Sequence, residues 1–140
     1  MAVASDWSAA SAHAFRTAAA LFPDAAVSVL HGYEAPLAGL ADAARDQLRA
    51  AARSRAEAEG RAFIAACEPP GGASAVSLVA ERGDPSLLLR LYAAQFPVDL
   101  AVVASRGRSA MADVLLGSVA QRLLETSPVD MLVVRDPGAR

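Results

Sequence analysis

Two glycines, Gly107 and Gly117, lie ten positions apart, and Ser118 and Val119 follow the second. Glycine lets a backbone come close to a ligand, or turn with positive φ, without a Cβ in the way. A Gly-Ser step that opens a helix presents unpaired N–H groups at the positive end of the helix dipole, and such an end attracts anions. Arg106 and Arg108 flank the first glycine and supply charged donors of the kind that grip phosphate. Far upstream, Asp6 offers a carboxylate to ribose hydroxyls or a base; equally, it or Ser8 caps the helix behind it. The chemistry on offer is therefore anion or nucleotide binding. It is not that of the ordinary phosphate loops, because the chain holds neither GxxxxGK[ST] nor GxGxxG.

Other reactive groups are sparse. Two histidines, His13 and His31, and a single cysteine, Cys67, stand apart from any carboxylate cluster, so a zinc site is not expected. His31 lies in an apolar run and is expected to be a hydrogen-bonded sheet residue, while Cys67 is expected to be a small buried hydrophobe. Ser109 and Ser118 have no evident base with an orienting acid, so no catalytic residue is assigned and enzyme activity is the minority reading. Asp24 and Asp84 suit a turn and a helix cap.

These groups must be positioned by strands and helices. Five short apolar runs occur at Met1 to Ser5, Ala26 to Tyr33, Ala75 to Ala80, Asp99 to Ala104 and Val129 to Val134. They are continuous rather than alternating, as strands covered on both faces are. Between them, residues 8–22 carry Ala12, Phe15, Ala19 and Phe22 at helical spacing, with Pro23 as a stop. Residues 37–67 form a long alanine-rich helix with Leu48, Ala52, Ala56, Phe63 and Cys67 on one face, arginines on another, and Gly60 loosening its last third. EPPGG, from Glu68 to Gly72, is a loop. A third helix takes Asp84 as N-cap and Pro85 as its first residue and stops before Pro97. A fourth runs from near Ser118 to just before Pro128, with Val119, Leu123 and Thr126 on one face. Alternating strands and helices imply right-handed crossovers and an α/β, doubly wound sheet, with ligands outside the carboxyl ends of the strands.

Bulk properties limit the partners. At 140 residues with a net charge of −2 and scattered charges, the chain has no electrostatic footprint for nucleic acid or an anionic membrane. No apolar run approaches the roughly 18 residues of a bilayer span. MAVASDWS lacks the basic and apolar regions of a secretory signal, and one cysteine makes no internal disulfide, so a cytoplasmic location is expected. One domain over residues 1–140 is expected; the short first run leaves open a trimmed chain or half of a tandem protein. The apolar last run is a candidate edge strand that invites pairing with a second copy, or else is covered by the terminal DPGAR.

The stretch ASRGRSAMADVLLGSVAQRLL, followed by SPVDMLVVR, resembles the glycine motif G-x-x-G-x9-G-[ST] and closing strand of the universal stress protein family. ASDWSAAS, VSVLHGYE and GDPSLLLRL are similar to that family's first strand end, second strand and third helix start, so the likeness spans nearly the whole chain. It implies a Rossmann-like sheet of five parallel strands in order 3-2-1-4-5 and a homodimer formed through the last strand. It also implies an adenine nucleotide, ATP with Mg only alongside it, held by Asp6 at the adenosine, Gly32 near the base, and Gly107, Gly117, Ser118 and Val119 at ribose and phosphates. The motif's first glycine is Ala104 here, which adds a methyl group at the position where the motif's backbone meets the ligand. The expected function is a stress-response regulatory module. The alternatives are a protein-interaction dimer without nucleotide and a slow ATP hydrolase or nucleotidyl-transfer enzyme.

Overall fold

The computed structural model describes residues 1–35, 39, 41–106 and 116–135. In chain order the elements are β1 (Ala2–Ala4), α1 (Ala9–Leu21), β2 (Val27–Tyr33), α2 (Asp42–Cys67), a 3₁₀ turn (Ala73–Ala75), β3 (Val76–Arg82), α3 (Pro85–Gln95), β4 (Leu100–Ala104), α4 (Ser118–Thr126) and β5 (Asp130–Val134). The strands form one sheet in order β3-β2-β1-β4-β5, and every pairing is parallel. This is the expected α/β doubly wound architecture, with strands matching the predicted runs to within two residues at either end. β1 has only three residues, yet it is central and pairs with Ser28 to Leu30 on one side and Ala101 and Val102 on the other.

The pleat sorts side chains between two hydrophobic layers. Val3, Val29, Val102, Ala104 and Val134 face α1 and α2, where they pack with Phe15, Phe63, Ile64 and Cys67. Ala2, Leu30, Ala101 and Val103 face α3 and α4, where Leu89, Ala120 and Leu123 complete the layer. Burial on both faces is why these strands read as unbroken apolar runs.

The helix ends follow their capping chemistry. Ser8 caps α1 by accepting from the Ser11 amide at 3.1 Å, and Asp84 caps α3 ahead of Pro85. Phe22 and Phe96 close these two helices, each followed by a proline.

Four details differ from expectation. The helix α2 is continuous through Gly60, which is buried because its backbone lies against Leu78; a Cβ there would sit 2.7 Å from Leu78 Cδ1. The buried stripe of α2 is Ala56, Gly60, Phe63, Ile64 and Cys67, while Leu48 near its N-terminus is 45% exposed. On α4 the buried pair is Ala120 and Leu123, three apart, and Val119 lies off that line, 47% exposed. On α1, Ser11, Ala14, Phe15, Ala18 and Ala19 are buried and Phe22, beyond the last turn, is exposed. Residues 36–38 and 40, where α2 was expected to begin, lie outside the described residues.

Candidate functional site at the carboxyl ends of the strands

In an open parallel sheet the ligand end is the carboxyl end, at the place where strand order reverses, here between β1 and β4. At the end of β1, Asp6 is tied into the start of α1. Its Oδ1 accepts from the Ser8 amide at 3.1 Å and from the Ser11 hydroxyl at 2.7 Å. Of the two capping candidates, Ser8 is the N-cap, and Asp6 braces it.

Trp7, next in the chain, adopts φ +64, a left-handed conformation that is rare for a bulky side chain. Its ring is packed firmly in return. The indole stacks on His31 with centroids 4.2 Å apart and tilts against Phe63 at 5.1 Å. The room for it comes from Gly60, since a Cβ there would stand 3.0 Å from Trp7 Cη2. The indole Nε1 is buried with no hydrogen-bond partner among the described residues. His31 is fixed from the other direction by a 2.7 Å hydrogen bond between Nδ1 and the Ser5 carbonyl, so it is the hydrogen-bonded sheet histidine expected.

Gly32 points to the opposite face. A Cβ there would lie 2.5 Å from the Gly83 carbonyl oxygen and 3.0 Å from the Pro85 nitrogen, so the β3–α3 connection closes directly on its backbone. The Tyr33 carbonyl accepts from the Gly83 amide at 2.9 Å, which extends the pairing past the strand. Just beyond, Asp84 Oδ1 accepts from the amides of Ser86 (2.9 Å) and Leu87 (3.2 Å) and from the Ser86 hydroxyl, while Oδ2 accepts from Arg122 of α4 at 2.5 Å. The Ser86 hydroxyl foremost, with the Leu87 amide and Arg122, holds the Asp84 carboxyl below its ordinary range.

At the end of β4, the Ser105 amide donates to the Val134 carbonyl at 2.8 Å, and the Ser105 carbonyl accepts from the Gly117 amide at 2.7 Å. Gly117 therefore begins α4 against the strand end, as an extended N-cap with φ −67 and ψ 154. Ser118 and Val119 follow as exposed residues of the first turn, whose amides have no acceptor within the helix. Ala104 is 4% exposed and belongs to the layer facing α1 and α2, paired in register with Val134. Its methyl group is thus a core contact. Arg106 is half-buried at the strand end; Gly107 and Arg108 lie outside the described residues.

The sheet brings Asp6, Gly32, Ala104, Arg106 and the Gly117–Val119 turn to one end of the molecule, with Gly32 turned toward α3. Sequence reasoning missed the Trp7–His31–Phe63 stack, although a glycine on the buried stripe of an alanine-rich helix was the trace it left. Cys67 is buried, and burial pushes its thiol upward, as suits a hydrophobe rather than a nucleophile. Among the described residues no group of three or more His, Cys, Asp or Glu could hold a metal ion, and no helix is long and apolar enough to cross a membrane.

A five-stranded, doubly wound parallel sheet with a glycine-led helix start beside its central switch point defines a Rossmann-like α/β protein. Within that class the chain belongs to the universal stress protein family, whose model matches residues 1–135. It is similar to the universal stress protein UspA from Lactobacillus plantarum, with 22% identity, a TM-score of 0.74 and coverage of 96% of this chain and 95% of that one. A universal stress protein solved in complex with cAMP is 25% identical, with a TM-score of 0.67 and coverage of 95% and 94%. A family member from Burkholderia pseudomallei is 20% identical, with a TM-score of 0.55 and coverage of 95% and 92%. No relative is found among the curated proteins.

Proposed function

We propose that this protein is a stress-response regulatory domain that binds ATP across the carboxyl ends of β1 and β4 and works as a homodimer through β5. The observation that carries the reading is the Gly117 amide bonded to the Ser105 carbonyl at 2.7 Å, which holds the first turn of α4 beside the end of β4. The amides of Ser118 and Val119, with the helix dipole behind them, suit a phosphate chain there. Arg106 adds charge, and Gly107 and Arg108 belong to the same connection. Asp6 stands one strand away for the adenosine end, and Mg²⁺ enters only with the phosphates. The relative solved with cAMP supports an adenine nucleotide as the ligand class. Dimerisation is supported by the position of β5, an outer strand that pairs only with β4 among the described residues. No residue is assigned a catalytic role, and a cytoplasmic setting remains part of the same reading.

Equilibrium binding of labelled ATP tests the nucleotide. Saturation below millimolar concentration is expected, with loss in Gly117→Trp; absence of saturation would leave the protein-interaction dimer as the better reading. Because the Ala104 methyl packs in the core, Ala104→Gly should leave ATP affinity within about twofold while costing about 1–2 kcal/mol of stability. A marked tightening would instead make that methyl the barrier to the nucleotide. Native mass spectrometry reads subunit number and retained nucleotide together, and a monomer at micromolar concentration would remove the dimer.

A further inference from the structure

We infer that Arg122 and Asp84 are a positioning pair for the nucleotide site: the ion pair between them sets how the first turn of α4 faces a phosphate chain. This role rests on ATP binding at that turn. The helix α4 is nine residues long, and its buried residues are Ala120 and Leu123, three apart on one stripe. Such a stripe seats the helix on the sheet but does little to stop it rolling about the line of contact. At its start the helix is held by the Gly117 amide on the Ser105 carbonyl, a single main-chain bond. Of its side-chain hydrogen bonds, those of Gln121 to Glu125 and of Thr126 to the Arg122 carbonyl stay within the helix. Among the described residues, only the bond from Arg122 to Asp84, at 2.5 Å, leaves it for another element.

The tie falls where a roll matters. Arg122 follows Ser118 by four residues and Val119 by three, so the three share one exposed flank of the helix. Restraining the guanidinium therefore restrains the two amides that suit phosphate. An exposed ion pair is ordinarily worth little, because two long side chains must both be ordered to form it. Here one partner is ordered in advance. Asp84 Oδ1 already accepts from the Ser86 amide at 2.9 Å, the Leu87 amide at 3.2 Å and the Ser86 hydroxyl, which leaves Oδ2 as a fixed post on the β3–α3 connection. Only the arginine has to be immobilised, so the pair can orient α4 while adding little to the stability of the fold.

The clean variant is Asp84→Asn. Asparagine caps a helix as well as aspartate does, but with its oxygen on the cap the amide nitrogen is left toward Arg122 and cannot accept from it. With labelled ATP at equilibrium, Asp84→Asn and Arg122→Ala should each weaken binding about fivefold or more, and Arg122→Lys should recover most of the loss. The double variant Asp84→Asn/Arg122→Ala should lie within about twofold of the weaker single variant, because both remove the same tie. Melting temperatures should shift little, so the loss is one of orientation rather than of folded protein. A direct contact between Arg122 and phosphate gives the opposite sign at Asp84, where a freed guanidinium would tighten ATP. Affinity that is unchanged or tighter in Asp84→Asn would thus overturn the positioning role, as would unchanged affinity in Arg122→Ala, losses that add in full in the double variant, or weakening that only tracks a lowered melting temperature. Absence of saturable ATP binding by the wild type would instead remove the nucleotide reading itself, and the positioning role with it.

Discussion

The two faces of the sheet meet the end of β2 in opposite ways. Toward α2, His31 and Tyr33 alternate with a glycine and stand among Trp7, Phe63 and the alanines of the long helix, so this face is finished with rings and leaves a cavity. Toward α3, Gly32 has no side chain, and the Gly83–Pro85 backbone closes onto it under the polar cap of Asp84, Ser86 and Arg122. One strand thus builds an aromatic corner and a backbone-sealed corner from neighbouring residues. A change at a ring should cost packing energy, a change at the sealed corner should cost main-chain fit, and a change in the polar cap should cost least.

Truncation on the aromatic side should be the largest effect. Phe63→Ala should lower unfolding free energy by about 3–5 kcal/mol in urea titrations, because it empties the core and removes the support of Trp7. A loss under 1 kcal/mol would mean that α2 is not seated as described.

The glycines sharpen the contrast next. Gly32→Ala should cost about 1–3 kcal/mol, since its Cβ meets main-chain atoms that cannot step aside. Gly60→Ala meets the movable end of Leu78 and Trp7 Cη2, and gains about 1 kcal/mol of helix propensity, so it should be the milder of the pair by thermal melting. The reverse order would break the distinction between the corners.

In the polar cap, Asp84→Ala should cost about 1 kcal/mol as a lost helix cap. The Asp84 carboxyl is held low in the folded state, chiefly by the Ser86 hydroxyl, so its stabilisation is full above the unfolded carboxylate range and fades as pH falls through the lower folded value. Unfolding titrations from neutral to acid pH should therefore converge for wild type and Asp84→Ala only at strongly acid pH. Smallest of all, Arg122→Ala should cost under about 1 kcal/mol and less still at high salt, because the pair is largely exposed.

Much of this was legible in the chain. Apolar runs marked the strands because both faces are covered, and Asp84-Pro85 marked α3 because a cap and a first-turn proline leave few alternatives. The Gly117-Ser118 helix start was likewise read from residue type alone. Tertiary contacts hid the rest. Gly60 reads locally as a weak point, and only its approach to Leu78 and Trp7 makes it a fitting; that the β3–α3 turn closes on the Gly32 backbone is likewise invisible in the chain. The inward turn of the Ala104 methyl was not legible either, because it depends on strand register.

Trp7 is the only tryptophan in the chain. Selective excitation of indole therefore sees one place, the contact with His31 and Phe63 where α2 rests on the sheet. Its emission lifetime and spectral maximum serve as a label already written into the polypeptide, able to time the undocking of the long helix in stopped flow without a dye or an added residue.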